Sequence, residues 1–390
     1  MITLADRLQN TKEYYFSVKL REVAARIAAG KKVINLGIGS PDLIPHQSVI
    51  TALTESLQDE KAHQYQSYQG LLELRTAISD FYKNKYRVEV NPTNEILPLM
   101  GSKEGIMHIA LAFLNPGDKV LVPNPGYPTY SSVLKIVGAQ EVYYDLTEQT
   151  HWEPDFKVLE SLNLSGVKMM FTNYPNMPTG AAGSLELYKK LVAFAKAKNI
   201  LLVNDNPYSF ILNSNPISIL EVEGAKEVAI ELNSLSKTFN LSGWRVGMVL
   251  GNSTYINAIL KIKSNMDSGM FYGIQKGAIQ ALNLPQTWLD EQNQIYLKRK
   301  NKIEILAQLL NCEIDDKSVG MFVWAKLPLD SKTAEEVIDE QLQTNDLFIT
   351  PGSIFGSNGN QYIRFSLCVP EDLIDEAIKR VKQSQSVLQD

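Results

Sequence analysis

The stretch "EVAIELNSLSKTFNLSGWRVGMVLG", Glu227 to Gly251, holds two apolar runs separated by a turn crowded with small hydroxyls and cations. The runs "EVAIELNS" and "VGMVLG" are short, evenly apolar and free of helical spacing, which predicts buried strands. Between them stand Ser234, Ser236, Lys237 and Arg245. Hydroxyls and cations at this density directly after a buried strand suggest a bound anion, although a lone SxSK on its own reads as a solvated loop.

Outward from this stretch the chain alternates. Upstream, the strand patterns "EILPLM", "KVLVP", "EVYYDL", "VKMMFTN" and "ILLVND" are interleaved with the helical patterns "KEGIMHIALAFL", "YPTYSSVLKIVG" and "LELYKKLVAFAKAKN". Short apolar strands alternating with helices of roughly 10 to 15 residues imply an α/β fold, with a mostly parallel sheet flanked by helices on both faces. This large domain is expected to span 46–285. From about residue 252 to about residue 308 three successive helices follow, the last one long. Beyond them "MFVWAKLP", "TAEEVIDEQLQTN", "LFITPG", "YIRFSLC" and "EDLIDEAIKRVKQ" describe a smaller α+β domain, 286–390, joined by the long helix. Residues 1–45 read as an arm packing beside it: a helix over "SVKLREVAARIAAG", stopped by Gly30, then the extended "KVINLGIGSPD".

Composition narrows the classes of function. The 390 residues suit two domains, and 44% apolar with 21% charged residues is the balance of a folded enzyme rather than a disordered chain. A formal charge of -5 without a basic stripe argues against nucleic acid as a partner. No leader-like start and no membrane-length apolar run is present, so a cytoplasmic protein without a membrane partner is expected. Cys312 and Cys368 lie outside any CxxC pattern, and His46, His63, His108 and His151 lack metal-ligand spacing; no metal is expected, and a reducing compartment fits.

Two further stretches bear on the anion. "GSKEG" sets Gly101, Ser102 and Lys103 at the start of a helix after a strand, where free N–H groups and the helix dipole favour a phosphate. "VNDNPYSF" puts Asp205 at the C-terminal end of an apolar strand, the edge at which open α/β sheets bind ligands, with Tyr208 three residues on. Lysine, carboxylate, phenol and two phosphate-binding stretches together suggest an aldehyde cofactor that carries a phosphate.

In order and spacing, "PNPGYPTY", "PTG", "DNPY", "SLSKTFNLSGWRVG", "GSKEG" and "YIRFS" resemble the class I/II aminotransferases of the fold type I pyridoxal-phosphate (PLP) enzymes. The likeness runs from about Ile34 to the C-terminal helix, and "LGIGSPD", "HQYQSYQGLLELR" and "LPLMGSKEGI" look most like the bacterial LL-diaminopimelate-type subgroup. The resemblance implies a ping-pong exchange of an amino group between an L-amino acid and a 2-oxo acid. Lys237 is then the residue that forms the Schiff base with PLP and, once displaced, moves the proton. An amine with the usual pKa of about 10.4 is mostly protonated at neutral pH, so the site must depress it.

By the same resemblance Asp205 pairs with the pyridine nitrogen, Tyr208 hydrogen-bonds the 3′ oxygen, and Tyr127 stacks on the ring. Ser102, Lys103, Ser234, Ser236 and Arg245 hold the phosphate. Tyr65 reaches the phosphate of a neighbouring subunit, which implies a homodimer. Arg364, assisted by Gly39, holds the substrate α-carboxylate. Read alone, Arg245 is a surface cation, Tyr127 and Tyr65 are packing, and Gly39 is a turn glycine. Side-chain specificity is expected in Tyr14 to Ser17, in the loop from Asn265 to Phe271 and in residues of a partner subunit. Two alternatives remain: a PLP-dependent β-elimination (carbon-sulfur) lyase, and a PLP-binding regulator, for which the arm is too short to hold a DNA-binding module.

One position departs from the family. Where it usually carries asparagine immediately before "PTG", this chain has Met177, and a thioether cannot donate the hydrogen bond that the asparagine shares with the tyrosine at the 3′ oxygen. Tyr208 acts alone there, or Asn173 or Asn176 compensates.

Overall fold

Successive residues of a strand face opposite ways, so a sheet covered on both sides is apolar at every position. Ala229–Ser234 is buried throughout: Ile230 and Leu232 pack into one cluster with Val203, whereas Ala229 packs into another with Leu202. The structure, a computed structural model, describes residues 2–8, 13, 15–329 and 332–387.

The strands in chain order are β1 (Ile34–Asn35), β2 (Ile96–Leu99), β3 (Lys119–Asn124), β4 (Gln140–Asp145), β5 (Val167–Thr172), β6 (Leu201–Asp205), β7 (Ala229–Ser234) and β8 (Gly247–Gly251). After them come β9 (Glu313–Ile314), β10 (Phe322–Lys326), β11 (Leu347–Phe348), β12 (Thr350–Pro351) and β13 (Tyr362–Ser366). A seven-stranded sheet runs in the order β2-β8-β7-β6-β5-β3-β4. Only β8 is antiparallel to its neighbours, so the α/β sheet is mostly parallel, as expected. Helices Ser102–Phe113, Pro128–Val137 and Ser253–Lys263 cover one face; Leu72–Tyr86, Leu185–Lys198 and Tyr272–Leu282 cover the other.

Leu185–Lys198 illustrates how a helix is fixed. Ser184 caps it by accepting from the Leu187 backbone N–H, Asn199 ends it at a φ of 52°, and Leu187, Leu191 and Ala195 turn one buried stripe to the sheet. Each buried leucine contributes roughly 1.5–3 kcal/mol.

Beyond helix Gln286–Leu309 an antiparallel sheet forms in the order β12-β13-β10-β9. The single strand expected over "LFITPG" is two strands. β11 pairs in parallel with β1 from the N-terminal segment, and β12 pairs with β13, so the chain changes sheets at Ile349. Arg364 stands opposite both Trp324 and Thr350, in the middle of this second sheet.

The topology places the site. The order reverses around β3, which has β4 on one side and β5 on the other; ligands bind outside the carboxyl ends of strands near such a point. The ends of β5, β6 and β7 carry Asn173, Asp205 and Ser234, and the start of antiparallel β8 brings Gly247 opposite Ser234. The second sheet closes the open side. The Gly126 N–H donates to Phe355 O at 2.8 Å, and Asn124 Nδ2 donates to Ser357 Oγ at 2.9 Å. No described helix is long and apolar enough to cross a membrane.

Candidate active site

A cavity of about 370 Å³ lies where the strand ends meet the second sheet. Of the residues singled out above, Gly39, Ser102, Lys103, Tyr127, Asp205, Tyr208, Ser234, Ser236, Lys237, Arg245 and Arg364 all line it. Lys237 follows the capped turn after β7, where the Ser234 hydroxyl accepts from the Ser236 N–H at 3.1 Å. Its Nζ donates to Gly39 O at 2.5 Å. Burial lowers the amine from its usual value, the Arg364 and Arg245 charges push the same way, and the Cys368 thiol opposes them.

The wall next to Lys237 is shaped for an anion. Gly101, at a φ of 89°, caps helix Ser102–Phe113 without a side chain to bond its first N–H groups. A Cβ on Gly101 would fall 2.1 Å from Arg245 Nη2, and one on Gly247 would fall 2.5 Å from the Ser102 nitrogen, so both glycines keep a space that side chains would fill. Arg245 sits in the left-handed region at a φ of 59° and is steadied by its Nη1 donating to Ser242 O at 3.0 Å. Lys103 is lowered by burial and by the Arg245 charge. The Ser234 hydroxyl donates to Val246 O at 3.2 Å, so an incoming phosphate competes with that carbonyl.

At the other end Asp205 is buried at the tip of β6. Its Oδ2 accepts from Tyr130 at 3.0 Å, whereas Oδ1 is buried with no hydrogen-bond partner among the described residues. Burial pushes the carboxyl up to about 7, against the Tyr130 hydrogen bond. A buried lone oxygen of this kind awaits a donor. A protonated ring nitrogen is such a donor, and with the phosphate cradle and a buried lysine whose pKa is lowered the residues present fit PLP. Tyr208 faces the same space and packs edge-on against Phe322.

Arg364 is 3% exposed and lies over the Phe322, Phe355 and Phe16 rings at 4.0, 4.8 and 5.6 Å. Its Nη2 donates to Gly37 O at 2.7 Å and its Nη1 to the Met177 sulfur at 3.2 Å. The methionine therefore borders the same cavity and touches the arginine. Gly39 sits flat on Phe322, where a Cβ would come within 2.2 Å of the ring. Asn176 is turned away: its Oδ1 accepts from Thr179 and its Nδ2 donates to Asn173 O. Asn173 lines the cavity, but its Nδ2 donates to Asp205 O at 2.6 Å and its Oδ1 accepts from the Met177 N–H at 2.7 Å.

Tyr65 is not brought to this cavity; its side chain is 91% exposed. The 265–271 loop also stays away. Its Gly269 packs on the backbone of Gln66 and Ser67, and Met266 and Phe271 are exposed. Of the four specificity candidates in the arm, Phe16 reaches the cavity, and Tyr14 lies outside the described residues. His108 is buried and paired with Glu104, near Asp267, which Lys263 holds through both carboxylate oxygens at 2.8 Å. Sequence reasoning missed Tyr130 and the aromatic enclosure of Arg364. For Tyr130 a signal existed: "YPTY" sets two tyrosines three residues apart, on one side of a helical turn.

A mostly parallel α/β sheet with a cavity lysine, an orphaned carboxylate oxygen and a phosphate cradle defines a PLP enzyme of fold type I. The family model for aminotransferases of class I and II matches residues 31–381, and the chain belongs to that family. It is 40% identical to the LL-diaminopimelate aminotransferase of Maridesulfovibrio salexigens, over 97% of this chain and 98% of that one. To the enzyme of the same name from Dehalococcoides mccartyi it is 37% identical, over 98% and 99% of the two chains. The substrate-bound BacF structure from Bacillus subtilis superimposes with a TM-score of 0.94 at 34% identity, covering 98% of each chain. The protein is a PLP-dependent aminotransferase that exchanges an amino group between an amino acid and a 2-oxo acid.

Proposed function

We propose that the amino donor is LL-diaminopimelate and that the cavity residues carry the roles set out next. The convergence of Lys237, the lone Asp205 Oδ1 and Arg364 on one cavity carries this assignment, and the names of the near full-length relatives supply the substrate. When bound, PLP supplies a protonated ring that draws electrons from the substrate α-carbon and so makes its hydrogen acidic. Asp205 Oδ1 accepts from the ring nitrogen and keeps that proton in place. The N–H groups of Ser102 and Lys103, the Ser234 and Ser236 hydroxyls and the Arg245 fork hold the phosphate, the fork by paired N–H donors. Tyr127 covers one ring face. Arg364 turns its fork to the α-carboxylate, and Gly39 lets the backbone approach. Lys237 Nζ then takes the proton from the substrate Cα, a role that burial favours by lowering the pKa of the amine.

Tyr208 donates to the 3′ oxygen, and Met177 adds no donor there. Met177→Asn is expected to lower the pH at which the absorbance of the bound cofactor titrates, because a second donor favours the anionic oxygen. Equal midpoints in the two proteins would show that another group, such as the second N–H of Asn173, already serves. Gly101→Ala forces a side chain into the left-handed region and against Arg245, and strain of this kind costs about 1–3 kcal/mol. Weaker PLP binding by about tenfold or more in a fluorescence titration is expected; unchanged affinity would remove Gly101 from the phosphate site.

The active unit is proposed to be a homodimer in the cytoplasm. Tyr65 and the 265–271 loop, exposed together away from their own cavity, suit contact with a second copy, and the two free cysteines suit a reducing compartment. The division into an arm of 1–45, a large domain of 46–285 and a small domain of 286–390 is likewise proposed. The β1–β11 pairing and the contact of Phe16 with Arg364 support it. Purified protein assayed with LL-diaminopimelate, aspartate, glutamate, alanine and aromatic amino acids tests the donor. The highest kcat/KM is expected for LL-diaminopimelate, and a preference for any other donor overturns the substrate assignment.

A further inference from the structure

Tyr130 is fully buried, stacked on Phe171 at 4.6 Å and nearly parallel to it, at 5°. Neither residue lines the cavity: both pack in the apolar cluster on one face of the sheet, whereas Leu235 and Phe239 beside Lys237 pack in the cluster on the other. Its hydroxyl donates to Asp205 Oδ2 at 3.0 Å, and among the described residues it is the one partner of that carboxylate. Asn173 also reaches Asp205, but at the backbone oxygen. Glu231, the nearest other buried carboxylate, is satisfied by Tyr82, Ser218, Ile219 N–H and Asn204, at 2.9–3.1 Å, and donates nothing to Asp205.

We propose that Tyr130 is the positioning residue of Asp205: by donating to Oδ2 it fixes the carboxylate plane and leaves Oδ1 as the oxygen offered to the cofactor. This rests on the reading of Asp205 as the partner of the ring nitrogen. A carboxylate held at one oxygen cannot swing into the apolar layer behind it, and the stack with Phe171 holds the phenol itself still. The same bond opposes the burial that keeps the proton on Asp205. The other ionisable groups facing Asp205 are Tyr208 from the loop after β6, Glu231 from β7, Tyr127 beside Tyr130, and Lys237 across the cavity. Glu231 pushes the carboxyl upward, and the Tyr130 bond acts downward on it.

The sign of the effect follows. PLP binding needs Asp205 ionised and the ring nitrogen protonated, so affinity should climb as pH rises through about 7, where the Asp205 carboxyl titrates in the cofactor-free protein. Without the phenol the carboxyl holds its proton to higher pH, and the climbing limb moves up.

The test is the dissociation constant of PLP from cofactor-free protein, followed by fluorescence as a function of pH, in a Lys237→Ala background, where deprotonation of the lysine adds no limb of its own, with the wild-type residues at 130 and 205 or with Tyr130→Phe or Asp205→Asn. Phenylalanine keeps the stack with Phe171, and circular dichroism checks that each variant is folded. In Tyr130→Phe the climbing limb should shift upward by about one pH unit, with affinity at neutral pH lowered roughly tenfold. A limb in its wild-type position, whether affinity is unchanged or evenly reduced, overturns the inference and leaves Tyr130 as packing. Asp205→Asn separates the two layers of argument. If the limb survives in Asp205→Asn, the reading of Asp205 fails, and this inference with it. If the limb vanishes there but stays put in Tyr130→Phe, only the role of Tyr130 fails.

Discussion

Lys237→Ala protein is expected to fold, to bind PLP more weakly and to lose transamination, with kcat/KM down by about three orders of magnitude or more. The basis is that one side chain both holds the cofactor and moves the substrate proton. A positioned acid or base alone contributes roughly 10²–10⁴-fold, and loss of the covalent tether adds to that. Lys237 is partly buried on a short capped helix between β7 and β8, and among the described residues its Nζ has one hydrogen bond to lose, to Gly39 O, so stability should change little. Added methylamine offers a free amine of similar chemistry and should restore part of the rate. Turnover near that of wild type would show that the proton moves through another group.

The second large effect is expected at Arg364. Arg364→Ala removes a buried guanidinium that lies among three aromatic rings and faces the cavity. Truncating one partner of a buried, hydrogen-bonded charge pair costs about 2–5 kcal/mol, so kcat/KM should fall by roughly two to three orders of magnitude, mostly through KM. Arg364→Lys keeps the charge but loses the planar fork and should recover only part of this loss. A primary amine that lacks the carboxylate serves as the control. Its slow reaction should be indifferent to Arg364, and an equal loss with that amine would mean that the arginine supports the fold rather than the carboxylate.

How far the sequence carries this account depends on the range of each interaction. The β/α alternation from residue 96 onward is a local signal, and the sheet it predicts is present. Gly101, Asp205 and Ser234 were legible because each sits at a strand end, where chain direction alone decides which edge a residue meets. Helices Gln47–Ser56 and Leu72–Tyr86 stood outside that alternation. The reversal of β8 and the split of "LFITPG" into β11 and β12 depend on which strand each run pairs with. Local periodicity does not encode that choice. Tyr130 and Asp205 are 75 residues apart, and the Met177 contact with Arg364 spans 187. A family pattern could flag Met177 as unusual, but only the folded chain could show what its sulfur touches.

One experiment bears on the centre of the account. Purified holoenzyme is mixed with one equivalent of LL-diaminopimelate in the absence of any 2-oxo acid, and the absorbance of the cofactor is followed alongside the products. Transamination at Lys237 predicts conversion of the bound PLP to its pyridoxamine form, stoichiometric release of a 2-oxo product and no free ammonia, with Lys237→Ala failing to convert. A spectrum that stays in the PLP form while ammonia accumulates, or full conversion in Lys237→Ala at the wild-type rate, would contradict it.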